Sequence, residues 1–112
     1  MPNLEKPPDT FVEFVTRFPD LGRAWEAARQ AERAGPLDDK TCRLVKLAVA
    51  VGNRAEGAAH SAVRKAVAAG ATGDEILHVV ALAASTIGLP NAVAVYSWVR
   101  DLLDPPSGAG PA

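Results

Sequence analysis

The run from Ala55 to Thr72, Ala-Glu-Gly-Ala-Ala-His-Ser-Ala-Val-Arg-Lys-Ala-Val-Ala-Ala-Gly-Ala-Thr, limits what this chain can become more than any other stretch. With successive residues placed ~100° apart on a helical wheel, Ala55, Ala58, Ala59, Ala62, Val63, Ala66, Val67 and Ala69 share one broad apolar arc. Gly57, Ser61, Arg64, Lys65 and Ala68 take the opposite side. Glu56 falls inside the apolar arc beside Val63 and Val67, and His60 lies one turn on at its margin. Gly70 supplies the left-handed residue that commonly closes a helix. An arc built of alanine lets a second backbone come close, so this helix is expected at the centre of a bundle.

The rest of the chain divides into helices separated by short breaks. Asp9 and Thr10 are suitable N-caps for a first helix carrying Phe11, Val12, Phe14, Val15 and Phe18. Pro19 fits the first turn of a second helix, whose apolar stripe is Leu21, Trp25, Ala28 and Ala31 and which should stop near Gly35-Pro36. Asp38 or Asp39 caps a third, running to Gly52-Asn53. After the central helix, Thr72-Gly73-Asp74-Glu75 fits a capping box and opens a fifth helix to about Ile87. Gly88-Leu89-Pro90 interrupts it, and a sixth is expected from near Asn91 to about Leu103. No segment shows period-two alternation, so the fold class is all-α, with about six helices over residues 9–104. Residues 1–8, with three prolines, read as a flexible arm, and residues 105–112 as a disordered tail.

Composition narrows the functions. A 112-residue chain is one domain, and a small, strongly apolar, alanine-rich domain often completes its burial in an oligomer. A formal charge of -1 gives no electrostatic case for nucleic acid or an anionic membrane. The longest apolar run, Val79–Val95, is broken by Ser85, Thr86, Gly88, Pro90 and Asn91, against a membrane span. The N-terminus lacks the apolar core of a signal peptide. A single cysteine, Cys42, forms no internal disulfide and no cysteine-cluster metal site. The expectation is a cytoplasmic protein.

Two polar constellations stand out. Side chains four apart are neighbours on a helix, so Glu56 and His60 can form an acid–base pair in which the carboxylate holds the imidazole tautomer. On the fifth helix Asp74, His78, Ala81 and Ser85 make a narrow, mostly polar stripe. His60, Glu56 and His78 are therefore the candidate catalytic residues, and Arg64, Ser85, Asn91 and Tyr96 the candidate substrate contacts. The bland readings are an interface ion pair for Glu56 and His60, a solvated face for His78, and capping for Ser85, Thr86 and Asn91 around the break. Trp25, Tyr96 and Trp98 could line a pocket or simply fill a core or interface. Metal binding needs three or four converging ligands, which Glu56, His60 and His78 supply only on adjacent helices, so no metal is expected. No phosphate loop or nucleophile elbow is present, and no cofactor is expected.

The segments Leu37-Asp38-Asp39-Lys40-Thr41, Leu44-Val45-Lys46-Leu47-Ala48, Ala55-Glu56-Gly57-Ala58, Arg64-Lys65-Ala66, Gly70-Ala71-Thr72, Glu75-Ile76 and Gly88-Leu89-Pro90 follow one another in an order and spacing that resembles the carboxymuconolactone decarboxylase family. That superfamily also contains the alkylhydroperoxidase D-like proteins, and the similarity spans roughly residues 20–104. It implies an orthogonal helical bundle of alkylhydroperoxidase D-like type, assembled into trimers or hexamers, with active sites near subunit contacts. Peroxidase members carry a Cys-x-x-Cys pair and a histidine four residues later. Aligned on Gly70-Ala71-Thr72, these positions are Ala55, Ala58 and Ala62 here, and the position of a relay glutamate is Arg43. Thiol peroxidase chemistry needs a thiolate and a resolving thiol, so the resemblance does not extend to it. The decarboxylase branch also places its histidine at Ala62.

Two function classes follow. One is a cofactor-free lyase or isomerase on a small carboxylated metabolite, with His60 moving a proton, Glu56 orienting it, and His78 or Arg64 near the substrate carboxylate. The other is a non-catalytic oligomeric scaffold or binding protein that has lost the redox site. Family-level peroxidase activity, a third class, is opposed by the alanines.

Overall fold

A computed structural model describes residues 9–103. The expected N-terminal arm and C-terminal tail lie outside the described residues. Among these, six helices and no strands occur: α1 (Asp9–Arg17), α2 (Pro19–Arg33), α3 (Asp39–Gly52), α4 (Glu56–Ala68), α5 (Gly73–Ile87) and α6 (Leu89–Leu103). The chain is all-α, as its periodicity indicates.

The helix ends follow from local chemistry. Pro19 starts α2, where its missing N–H has no intrahelical partner to lose. Asp38 caps α3, its carboxylate accepting from the Thr41 N–H at 2.8 Å. At α5 both halves of the capping box form: Thr72 Oγ1 accepts from the Glu75 N–H at 3.1 Å, and the Glu75 carboxylate from the Thr72 N–H at 2.8 Å. Gly70 and Gly88 take φ of +98° and +92°, the region that L side chains avoid, and so end α4 and α5. Helix α6 begins at Leu89 rather than near Asn91, because Pro90 in a first turn needs no donor.

The core belongs to α3–α6, each of which packs on at least two of the others. Leu47 and Val51 from α3, Val63 and Ala66 from α4, Ile76 and Val80 from α5, and Val95 and Val99 from α6 fill it. Burial of a side chain such as Leu47 contributes about 1.5–3 kcal/mol. Lys40 on α3 reaches Glu75 on α5 at 2.9 Å and fastens two of these helices at the surface.

Helices α1 and α2 bury no residue. They form a hairpin held by Phe11 edge-on to Trp25, with centroids 6.2 Å apart, and by the closeness Gly22 allows: a Cβ there would lie 3.3 Å from Val15 Cβ. The apolar stripe of α2, Leu21, Trp25, Ala28 and Ala31, is exposed and does not enter the core. Trp25 is 42% exposed, since the hairpin stands over α3 and α4 with open space beneath it.

Candidate functional site: a basic cleft between the hairpin and the bundle

That space is a cleft of about 720 Å³, within the usual range of small-molecule sites, roughly 300–1,000 Å³. Phe11, Val15, Gly22, Trp25, Glu26 and Arg29 line it from the hairpin, and Arg43, Lys46, Val49, Ala50 and Asn53 from α3 and its end. Ala55 and, from α4, Gly57, Ala58, Ser61, Ala62, Arg64 and Lys65 form the remaining wall. The alanine arc of α4 therefore divides. Ala59, Val63 and Ala66 are buried in the bundle, while Ala55, Ala58 and Ala62 face the cleft.

Five cations stand around it: Arg29, Arg43, Lys46, Arg64 and Lys65. The one carboxylate in the lining, Glu26, is engaged by Arg33 at 3.0 Å. Lys46 is satisfied by Glu32 at 2.6 Å, which in turn holds the Glu32 carboxyl below its ordinary value. Arg43 is weakly paired with Asp39 at 3.7 Å. Among the described residues no carboxylate lies within ion-pair distance of Arg29, Arg64 or Lys65. Burial, and then the like charges of Arg43, Arg29 and Lys46, push the Lys65 ammonium below its ordinary value, with Glu32 opposing. The α4 N-terminus at Ala55 has no side-chain cap, which leaves first-turn N–H groups and the positive end of the helix dipole at the cleft edge.

The residues singled out from the sequence lie in different places. Arg64 is in the cleft wall. His60 Nε2 lies 3.8 Å from a Glu56 carboxylate oxygen, so the two are neighbours as their spacing requires, but neither lines the cleft. They occupy a flank of α4 with side chains 33% and 57% exposed. His78 and Ser85 are on the exposed side of α5. Asn91 donates to the Ile87 carbonyl at 2.7 Å, closing the end of α5. Tyr96 is exposed on α6 under the Arg100 guanidinium. No three His, Cys, Asp or Glu side chains converge as a metal site among the described residues.

Arg29, Arg43, Lys46 and Lys65 were not singled out as site residues. Each reads singly as a solvated charge. The available signal was the spacing of Arg43 and Lys46 on one face of α3, opposite a helix whose small residues leave room.

The model of the carboxymuconolactone decarboxylase family matches residues 19–101. No curated protein and no solved structure is detectably similar to the chain. No helix among the described residues is long and apolar enough to cross a membrane. The cleft floor, Ala55, Ala58 and Ala62, coincides with the positions where the sequence resemblance places the redox cysteines and histidine of peroxidase members. A helical bundle with one cysteine and alanine at those three sites, matched over most of its length, belongs to the carboxymuconolactone decarboxylase family and lacks the Cys-x-x-Cys motif.

Proposed function

We propose that the protein binds a small carboxylated molecule in the cleft and acts on it as a cofactor-free lyase or isomerase. The observation that carries this is the excess of cations over an apolar bed. Arg29, Arg64 and Lys65 lack carboxylate partners among the described residues, and Ala58, Ala62 and Trp25 offer a surface for an uncharged body. Guanidinium groups suit a carboxylate because two parallel N–H donors meet its two oxygens. Loss of carbon dioxide or migration of a double bond builds charge that fixed cations stabilise. Glu56 and His60 could serve such a reaction if a neighbouring protomer extended the site to their flank.

Calorimetric titration with small mono- and dicarboxylates tests the reading. Binding at low salt is expected, and Arg64→Ala and Arg29→Ala should each weaken it at least ~10-fold, equivalent to about 1.4 kcal/mol. Failure of every carboxylate to bind, or affinity in both variants equal to that of the native protein, would remove it.

A specific observation supports the scaffold reading alongside it. Leu82, Leu89 and Val93 on α5 and α6 are 64%, 68% and 57% exposed, and apolar side chains so presented fit a surface covered in an oligomer. A trimer or hexamer is expected by light scattering, and a monomer at all concentrations would count against it.

A further inference from the structure

We propose that Lys65 Nζ is an amine nucleophile that forms a Schiff base with a small β-keto acid seated in the cleft, the acid's carboxylate resting against Arg29, Arg43 and Arg64. This rests on the cleft being a carboxylate site and adds the reacting group and substrate class.

Geometry places the amine where such a reaction needs it. Lys65 lines the cleft on the same helix as Ala58 and Ala62, whose methyl groups leave room beside it. Its Nζ is 5.9 Å from the centre of the Trp25 ring, which walls the opposite side. The charges acting on it are those of Arg43 and Lys46 from α3 and Arg29 from α2, with Glu32 of α2 opposing, while Glu26 from α2 and Arg64 from α4 line the same cleft. Glu26 and Glu32 are held by Arg33 and Lys46, so neither fixes Lys65 as an ammonium. A partly buried lysine beside other cations is the kind that yields the neutral amine nucleophile, and burial and those charges hold Lys65 below the ordinary lysine value. Trp25 favours the ammonium only weakly at a site this open.

The reaction balances without an oxidant. The amine lone pair forms a C–N bond to the ketone carbon, the oxygen leaves as water, and the resulting imine is protonated. The bond to the carboxylate then breaks, its electron pair moves to the iminium nitrogen, and carbon dioxide departs. The enamine carbon takes one proton to give an iminium ion, and water hydrolyses it with release of one proton, freeing the ketone and restoring the neutral amine. Overall, β-keto carboxylate plus one proton gives ketone plus carbon dioxide.

Borohydride trapping tests this on the full chain, with 3-oxobutanoate and 3-oxo-3-phenylpropanoate as probes and their binding measured in parallel by calorimetry. One reduced adduct is expected on the peptide holding Lys65, with loss of the adduct in Lys65→Arg while probe binding persists. Lys40 is the internal control, since its pairing with Glu75 holds it above the ordinary lysine value and it should stay unmodified. Bound probe without an adduct, or an adduct that survives in Lys65→Arg, overturns the nucleophile and leaves the cleft reading standing. Failure of both probes to bind overturns the β-keto acid as substrate, and the cleft reading falls with it only if the simple carboxylates also fail to bind.

Discussion

The Lys65 ammonium on α4 lies 5.9 Å from the centre of the Trp25 ring on α2, and this pair spans the cleft. The hairpin contributes no buried residue, so contacts of this kind are what hold it over the bundle. Segments with few buried apolar contacts open at low free energy, and a cleft roofed by such a segment can admit a ligand by local movement alone.

Trp25 should therefore report occupancy. In a Trp98→Phe background, where Trp25 is the sole tryptophan, a carboxylate that binds in the cleft is expected to shift and quench emission in a saturable way. Emission unchanged at ligand concentrations that saturate calorimetry would place binding elsewhere.

Lys65 also predicts a stability effect of definite sign. Its folded-state value is depressed below the ordinary 10.5. The folded protein thus carries an electrostatic penalty in full at pH below the depressed value. As pH rises from there towards the unfolded value the unfolded state holds more protons, so stability rises with pH. Lys65→Met removes the penalty. Its melting temperature should exceed that of the native protein at pH 7, and the gap should narrow on going to pH 10; a variant that is less stable at pH 7 contradicts this.

The capping box predicts separable losses at α5. Thr72→Ala removes the acceptor for the Glu75 N–H and should cost about 1 kcal/mol, a drop of about 4–8 °C in a domain of this size. Glu75→Gln retains a capping amide oxygen but loses the charge that binds Lys40. The Glu75 carboxyl is held below its ordinary 4.5, chiefly by Lys40. Its contribution is present above the ordinary value and lost as pH falls through the depressed one. The native protein should lose more stability than Glu75→Gln on acidification from pH 6 to pH 3, read by thermal melts; parallel curves would refute the coupling.

Helix positions and ends were legible because each is written in adjacent residues: Asp38 before Thr41, Thr72 before Glu75, Pro19 opening α2, Gly70 and Gly88 closing helices. The i, i+4 neighbourhood of Glu56 and His60 was legible for the same reason. The cleft was not, because it arises between elements distant in sequence. Nothing near Trp25 says that its helix stands off the bundle, and nothing near Ala58 says that its methyl group faces open space while Ala59 and Ala66 on the same helix face a packed core. Arg29, Arg43 and Lys65 become one electrostatic feature only when α2, α3 and α4 are brought together.

That division of α3 and α4 into packed and open faces gives the last prediction. Leu47 is fully buried and Val49, two residues on, is 67% exposed at the cleft. Leu47→Ala should cost about 2–5 kcal/mol through lost burial and the cavity left behind, whereas Val49→Ala should stay within about 0.5 kcal/mol. Ala58 is likewise exposed on the cleft face of α4, so Ala58→Leu inserts its side chain into space rather than into packed neighbours. Stability should be unchanged within about 0.5 kcal/mol, while carboxylate affinity falls because the apolar bed is occupied. The contrast is diagnostic when melting and calorimetry are run on the same samples. If Ala58→Leu melted as low as Leu47→Ala, α4 would have no open face; if it melted normally and bound ligand normally, the ligand would not sit on the alanine floor.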